Sequence, residues 1–176
     1  MRPQVRRGSL SFVVFLAAVI FVCPGGRSAD QKPQSAPNTA VKVSGEVSHP
    51  LTLTAADLAA LPHQNVSADE KTSRQRYQAV AVVDLLRRAG APLGSALRGS
   101  NMRLYVVVKG RDGYAAVFAL PEFDPGFTDR VIVLAYLREG RALGPVEGPF
   151  RIIVPGEKRR ARWVRQVTDI EVRSAQ

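Results

Sequence analysis

The stretch Leu104-Tyr105-Val106-Val107-Val108-Lys109-Gly110-Arg111-Asp112-Gly113-Tyr114-Ala115-Ala116-Val117-Phe118-Ala119-Leu120 decides the fold class. Residues 102–108 are apolar on both faces of an extended segment, the pattern of a central strand covered on two sides. Asp112-Gly113 is a turn pair, and the return from Tyr114 to Leu120 completes a hairpin. Downstream, residues 131–137 form another apolar run, Glu139-Gly140 marks a turn, and residues 151–154 resume an extended pattern. Thr168, Ile170 and Val172 alternate with Asp169 and Glu171 in a last, half-exposed strand. Upstream, Val41, Val43 and Val47 share one side of a strand that Pro50 closes. Thr54-Ala55-Ala56-Asp57 has the N-cap and third-position chemistry of a short helix, with Leu58 and Leu61 on one face and Pro62 beyond its end. A polar stretch over residues 69–76 leads to Tyr77. Val82, Val83, Leu85, Leu86 and Ala89 then fall at helical spacing until Gly90 and Pro92 stop them. The expectation is one α+β domain over residues 41–173. It has six or seven strands in a mixed, mostly antiparallel sheet, two short helices and no internal repeat.

The N-terminal part has a different character. Arg2, Arg6 and Arg7 precede an apolar run, residues 10–22, broken only by Ser11. Thirteen residues fall short of the roughly 20 that a spanning helix needs. Small residues follow at Gly25, Gly26, Ser28 and Ala29, so residues 1–28 read as a cleaved signal peptide and the protein as periplasmic or secreted. Arg6-Arg7 raises the twin-arginine route, although Ser9 stands where that signal has an aromatic residue. Cys23, the only cysteine, ends the apolar run behind Val22, which is bulkier than a lipoprotein signal takes; membrane contact is then expected only if the signal stays uncleaved. Residues 29–40 contain no large apolar side chain and read as a disordered tether.

Cleavage near residue 28 leaves a cysteine-free mature chain, which excludes disulfide staples and thiolate metal ligands. Removing the four arginines of residues 1–28 leaves 21 Lys+Arg against 15 Asp+Glu, a net +6. For an exported protein this excess favours anionic small molecules, acidic partner surfaces and membrane headgroups over nucleic acid, and net charge alone does not choose among them. The partner expected is a phosphate-bearing small molecule or an acidic protein surface, with no nucleic acid.

No catalytic set and no metal site are assigned. His49 and His63 sit fourteen residues apart beside prolines, without metal-ligand spacing. No nucleophile elbow is present, and Gly90, Gly94 and Gly99 are not followed by the Lys-Ser or Lys-Thr of a phosphate loop. Glu122, Asp124 and Asp129 lie in a segment with two prolines and a glycine, where aspartates serve tight turns; Phe123 and Phe127 are expected to pin it to the core. Residues 158–165 gather five cations, Lys158, Arg159, Arg160, Arg162 and Arg165, between two strands. On one helical turn Lys158, Arg162 and Arg165 would converge at i, i+4 and i+7 and suit a phosphate, which accepts paired hydrogen bonds. The alternative is a solvated loop whose arginines pair with Glu147, Glu157 or Asp169. Trp163 reads as a core anchor with an arginine stacked on it.

Taken in order, Gly45-Glu46-Val47, His49-Pro50-Leu51-Thr52-Leu53-Thr54, Asp57-Leu58 and Leu61-Pro62 resemble the opening of the molybdopterin-binding domain of sulfite-oxidase-type oxidoreductases. Residues 77–90 and Asp112-Gly113-Tyr114 are similar to that family's next strand and helix and its central hairpin. Gly148-Pro149-Phe150-Arg151-Ile152-Ile153-Val154-Pro155-Gly156, Arg162-Trp163-Val164 and Ile170-Glu171-Val172 are similar to its closing segment. The resemblance implies that Lys158, Arg159, Arg160 and Arg162 help hold the phosphate of a molybdopterin cofactor. Those enzymes also hold molybdenum through a cysteine thiolate in the middle of the domain, which this chain lacks. The expectation is therefore a ligand-binding or interaction module. A molybdenum-cofactor oxidoreductase of sulfite-oxidase type and an adaptor for an acidic protein partner remain as alternatives.

Overall fold

The computed structural model describes residues 39–70 and 73–176, so the expected signal peptide and most of the tether lie outside the described residues. Ala40, assigned from sequence to the tether, is the first residue of a strand and pairs with Thr54. The described residues form ten strands and two α-helices: β1 (Ala40–Gly45), β2 (Leu51–Thr54), α1 (Ala55–Ala60), β3 (Gln64–Asp69), β4 (Arg74–Ala81), α2 (Val82–Arg88), β5 (Leu104–Gly110), β6 (Ala115–Ala119), β7 (Val133–Arg138), β8 (Arg141–Ala142), β9 (Arg151–Ile153) and β10 (Val167–Ser174). Among the described residues no helix is long and apolar enough to cross a membrane.

The strands make two sheets rather than one. The first has the order β2-β1-β10-β5-β6, in which β1 and β10 run parallel and every other neighbour is antiparallel. The second has the order β3-β4-β7-β8, with β9 also paired to β7, and is antiparallel throughout. Inward residues of both sheets, among them Val43, Val106, Phe118 and Ile170 from the first and Tyr77, Ala79 and Leu134 from the second, join α2 in a single buried cluster.

The excess over six or seven strands comes from elements with little to bury. The stretch read as polar, residues 69–76, holds the end of β3 and the start of β4, which pair as a hairpin. In β3 only Val66 and Ala68 are not exposed, too sparse an alternation to be visible in sequence. The apolar segment read over 102–108 enters its sheet at Leu104, while Met102 stands in a preceding 3-10 turn and is 44% exposed. β10 carries an irregularity between Val167 and Asp169, so Val167 is buried ahead of the Ile170/Val172 alternation.

Local chemistry sets the boundaries. Thr54 caps α1 reciprocally: its hydroxyl accepts from Asp57 N, and an Asp57 carboxylate oxygen accepts from Thr54 N at 2.8 Å. α2 buries Val82, Val83, Leu85 and Leu86, and carries Asp84 in its first turn and Arg87 and Arg88 in its last, the order that complements the helix dipole. At the end of β1, Gly45 has φ +93°, and a Cβ there would lie 2.0 Å from the carbonyl oxygen of Val172. Only glycine lets β1 and β10 meet at that point.

Candidate functional site

The arginine-rich segment leaves β9 and returns as β10, so both of its ends are fixed by the sheets. Val164 O accepts from Ile152 N, Phe150 O accepts from Val167 N, and Glu147 O accepts from Gln166 N, each at 2.8–2.9 Å. On the other side, Tyr114 donates its hydroxyl to Ala161 O at 2.6 Å, which fastens the segment to the β5–β6 turn. Gly110 permits the approach, because a Cβ there would stand 2.5 Å from Arg165 O.

The expected helical convergence does not occur. Only Arg160–Arg162 turns, as a three-residue 3-10 segment, so Lys158, Arg162 and Arg165 do not share a helical face. The thirteen residues between β9 and β10 are long enough for two helical turns, but Ile152 N and the Tyr114 hydroxyl draw Val164 O and Ala161 O into contacts outside the segment.

The cations instead divide into two groups. Arg162 turns toward carboxylates: its Nε and Nη2 donate to Glu157 Oε1 at 2.8 and 2.6 Å, and its Nη1 donates to Glu122 Oε2 at 2.9 Å. Its guanidinium lies 4.5 Å from the Phe118 ring centre. Burial disfavours its charge, but the Glu157 and Glu122 carboxylates outweigh that and raise its pKa. Arg160 pairs more loosely with Glu70, at 3.3 Å. Lys158, Arg159 and Arg165 make no ion pair among the described residues.

These three unpaired cations, together with Arg160, line one cavity of about 750 Å³. Its floor holds Arg151, side chain 8% exposed, whose Nη1 donates to Glu70 Oε1 at 2.9 Å and Glu147 Oε2 at 2.7 Å and which lies 5.5 Å from the Trp163 ring centre. Trp163 is thus a buried anchor under a stacked arginine, as its sequence position predicts. Tyr77 donates its hydroxyl to Glu70 at 2.6 Å. Burial, followed by that hydrogen bond, pushes the Tyr77 pKa up to about 12. Burial also raises Glu70, yet the Tyr77 hydroxyl, Arg151 and Arg160 together outweigh it and hold the carboxyl below its usual value. Glu70 and Glu147 are both engaged by Arg151. That leaves Lys158, Arg159 and Arg165 without an ion pair, with Asp112, which accepts from Tyr114 N, as the one other carboxylate on the cavity among the described residues.

Of the four residues the resemblance assigned to a phosphate, Lys158, Arg159 and Arg160 stand on the cavity and Arg162 does not. Sequence reasoning omitted Arg151, although a lone arginine inside the apolar run 150–154 signals a paired buried charge. Glu70 gave no such signal, since it sits in a polar stretch. Of the expected loop pairs, Arg162–Glu157 forms, while Glu147 pairs with Arg138 and Arg151 and Asp169 appears in none among the described residues.

Of the carboxylates in residues 122–129, Asp124 holds the turn, while Glu122 accepts from Ala119 N at 3.0 Å and pairs with Arg162. Asp124 is 3% exposed and accepts from the N–H groups of Gly94 and Gly126, which lower its pKa. Phe123 is buried, but Phe127 is 52% exposed and pins nothing, because Asp124 already holds the turn. His63 meets the Leu61 carbonyl at 3.1 Å, and among the described residues no three His, Cys, Asp or Glu side chains gather as metal ligands.

The family model of the oxidoreductase molybdopterin binding domain matches residues 67–176. Among solved structures, the sulfane dehydrogenase SoxCD from Paracoccus pantotrophus shares the fold, with a TM-score of 0.58 at 19% identity. The match covers 76% of this chain and 37% of that one, so this chain spans well under half the length of the protein it resembles. No curated protein matches. The two mostly antiparallel sheets with few short helices are those of a sulfite-oxidase-type molybdopterin domain.

Proposed function

This chain belongs to the oxidoreductase molybdopterin-binding domain family, and from that premise we propose that it is an exported ligand-binding module whose arginine-rich cavity takes a phosphate-bearing small molecule. The observation that carries the reading is the set of three unpaired cations, Lys158, Arg159 and Arg165, on one cavity of about 750 Å³. Like charges at 4 Å repel by about 1 kcal/mol in water and by more in less polar surroundings, so the cluster gains from an anion among them. Guanidinium forks give phosphate oxygens paired, charge-assisted hydrogen bonds, and the lysine adds a point charge. Arg151, fixed beneath them by Glu70 and Glu147, serves as a rigid floor rather than a free ligand group.

The residues fit one half of a molybdopterin cofactor. The cation set suits its phosphate. The metal half finds no protein partner: residues 39–176 contain no cysteine, and the described residues hold no cluster of metal-ligating side chains. We therefore derive no redox step and read the domain as a binder.

Thermal unfolding with pyrophosphate at low chloride tests the site. The expected result is a rise in midpoint that high chloride removes and that the Arg159→Ala/Arg165→Ala variant lacks. No rise for the unaltered protein would refute the reading. Elemental analysis of protein purified from its native export compartment tests the other half. Molybdenum well below one atom per chain is expected, and near-stoichiometric metal would replace the binder with a sulfite-oxidase-type oxidoreductase.

A further inference from the structure

Two more cavities, of about 630 and 620 Å³, lie end to end beside β3. Residues 64–67 line the first and residues 67–70 the second, and the two share Ser67, Pro155 and Gly156. A hollow over one face of a strand would touch alternate residues, because successive side chains point to opposite faces. An unbroken run of seven consecutive residues means that the hollow follows the strand's edge. β3 is the end strand of its sheet and pairs only with β4. Outside that ladder no backbone–backbone hydrogen bond from residues 64–69 is made among the described residues, and Asp69 O alone accepts a side chain, that of Arg160. The opposite bank is formed by residues 129–131 and 155–157. β6, an edge of the other sheet, is partly tied down by the Tyr114–Ala161 contact, whereas β3 has no Lys or Pro to blunt it.

We propose that this groove docks an extended acidic segment of a partner protein, which adds to β3 as a further strand. The backbone edge supplies register and hydrogen bonds, and the rim supplies the charge preference. Arg130 stands at one end and Arg74 and Lys158 at the other, none of them ion-paired among the described residues. The groove's own acids include Glu70 and Glu157, already engaged by arginines, which leaves Asp69 and Asp129 against those three cations. At the Lys158 end the groove opens on the neighbouring cavity with Arg159 and Arg165, so acidic side chains there meet a continuous positive field. Six residues of β3 offer about 20 Å of edge, enough for a segment of similar length. A second copy of this chain would bring its own positive excess to the same rim and is the poorer occupant.

The inference is independent of the phosphate reading, and its test is chosen to keep the two apart. The probe is a fluorescein-labelled decapeptide of alternating threonine and valine with two glutamates at each end, compared with the same peptide carrying lysines. Fluorescence anisotropy should show at least tenfold tighter binding of the acidic peptide. Amide exchange over residues 64–69 should slow on binding. The Arg74→Glu/Arg130→Glu variant, whose substitutions lie outside the pyrophosphate cavity, should bind at least tenfold more weakly yet keep its pyrophosphate-induced midpoint shift. The milder Arg74→Gln/Arg130→Gln variant repeats the test should the reversed charges disturb folding. Equal binding of both peptides, binding without protection of residues 64–69, or protection that grows with protein concentration in the absence of peptide would overturn the proposal, the last by making a second copy the occupant. A protein that binds the peptide but shows no pyrophosphate shift would refute the phosphate site and leave this one standing.

Discussion

Replacing Arg162 by alanine separates cations that hold the fold from cations left for a ligand. The guanidinium donates to Glu157 at 2.6 and 2.8 Å and to Glu122 at 2.9 and 3.2 Å, and stacks 4.5 Å from Phe118. A hydrogen bond between charged groups contributes about 1.5–3 kcal/mol when buried. Here the side-chain exposures are 29% for Arg162, 15% for Glu157 and 34% for Glu122, so water screens part of that attraction. Stacking adds on the order of 0.5–1 kcal/mol. Removal also leaves Glu157, whose Oε2 already lacks a partner, as an uncompensated, mostly buried charge. The expected loss is about 2–3 kcal/mol, which for a domain of this size lowers the unfolding midpoint by roughly 6–12 °C. The pyrophosphate-induced rise should persist. Differential scanning calorimetry with and without pyrophosphate measures both. A midpoint drop below about 2 °C would mean that the pairs are ordinary screened surface pairs. Loss of the ligand-induced rise with stability unchanged would return Arg162 to the role the family resemblance implied.

Three further outcomes are expected. Gly45→Ala should cost roughly 2–4 kcal/mol in chemical denaturation, since it puts a Cβ onto Val172 O at a positive φ; a change below about 0.5 kcal/mol would show that β1 and β10 yield easily. Hydrogen bonds from Arg173 and Lys109 lower Glu171 from its ordinary 4.5 to about 2; its contribution is therefore complete above the ordinary value and is lost as pH falls through about 2. Glu171→Gln should accordingly narrow the stability difference between pH 6 and pH 2 by about 1 kcal/mol or less, and a widened difference would reverse the assignment. The intact mass of exported material should place the mature N-terminus between Gly25 and Asp30, and a full-length or lipid-modified chain would refute the signal-peptide reading.

The sequence by itself determined what depends on neighbours along the chain. The Thr54–Asp57 cap, the four buried positions of α2, the Asp112-Gly113 hairpin and the Glu139-Gly140 turn are local hydrogen bonds and side-chain periodicities, legible wherever they occur. The order and spacing of motifs over nearly all of residues 41–173, each weak alone, together pointed to the family. Tertiary structure decided what depends on distant partners. β3 is a strand only because β4 folds beside it, and its own polar residues carry almost no pattern. The partition of the five loop cations was only partly legible in order and spacing. Glu157, five positions away, is a local partner of Arg162, but Glu122 reaches Arg162 across 40 positions and Glu70 reaches Arg160 across 90, and these long-range pairings complete the division between cations paired within the fold and cations left facing a cavity.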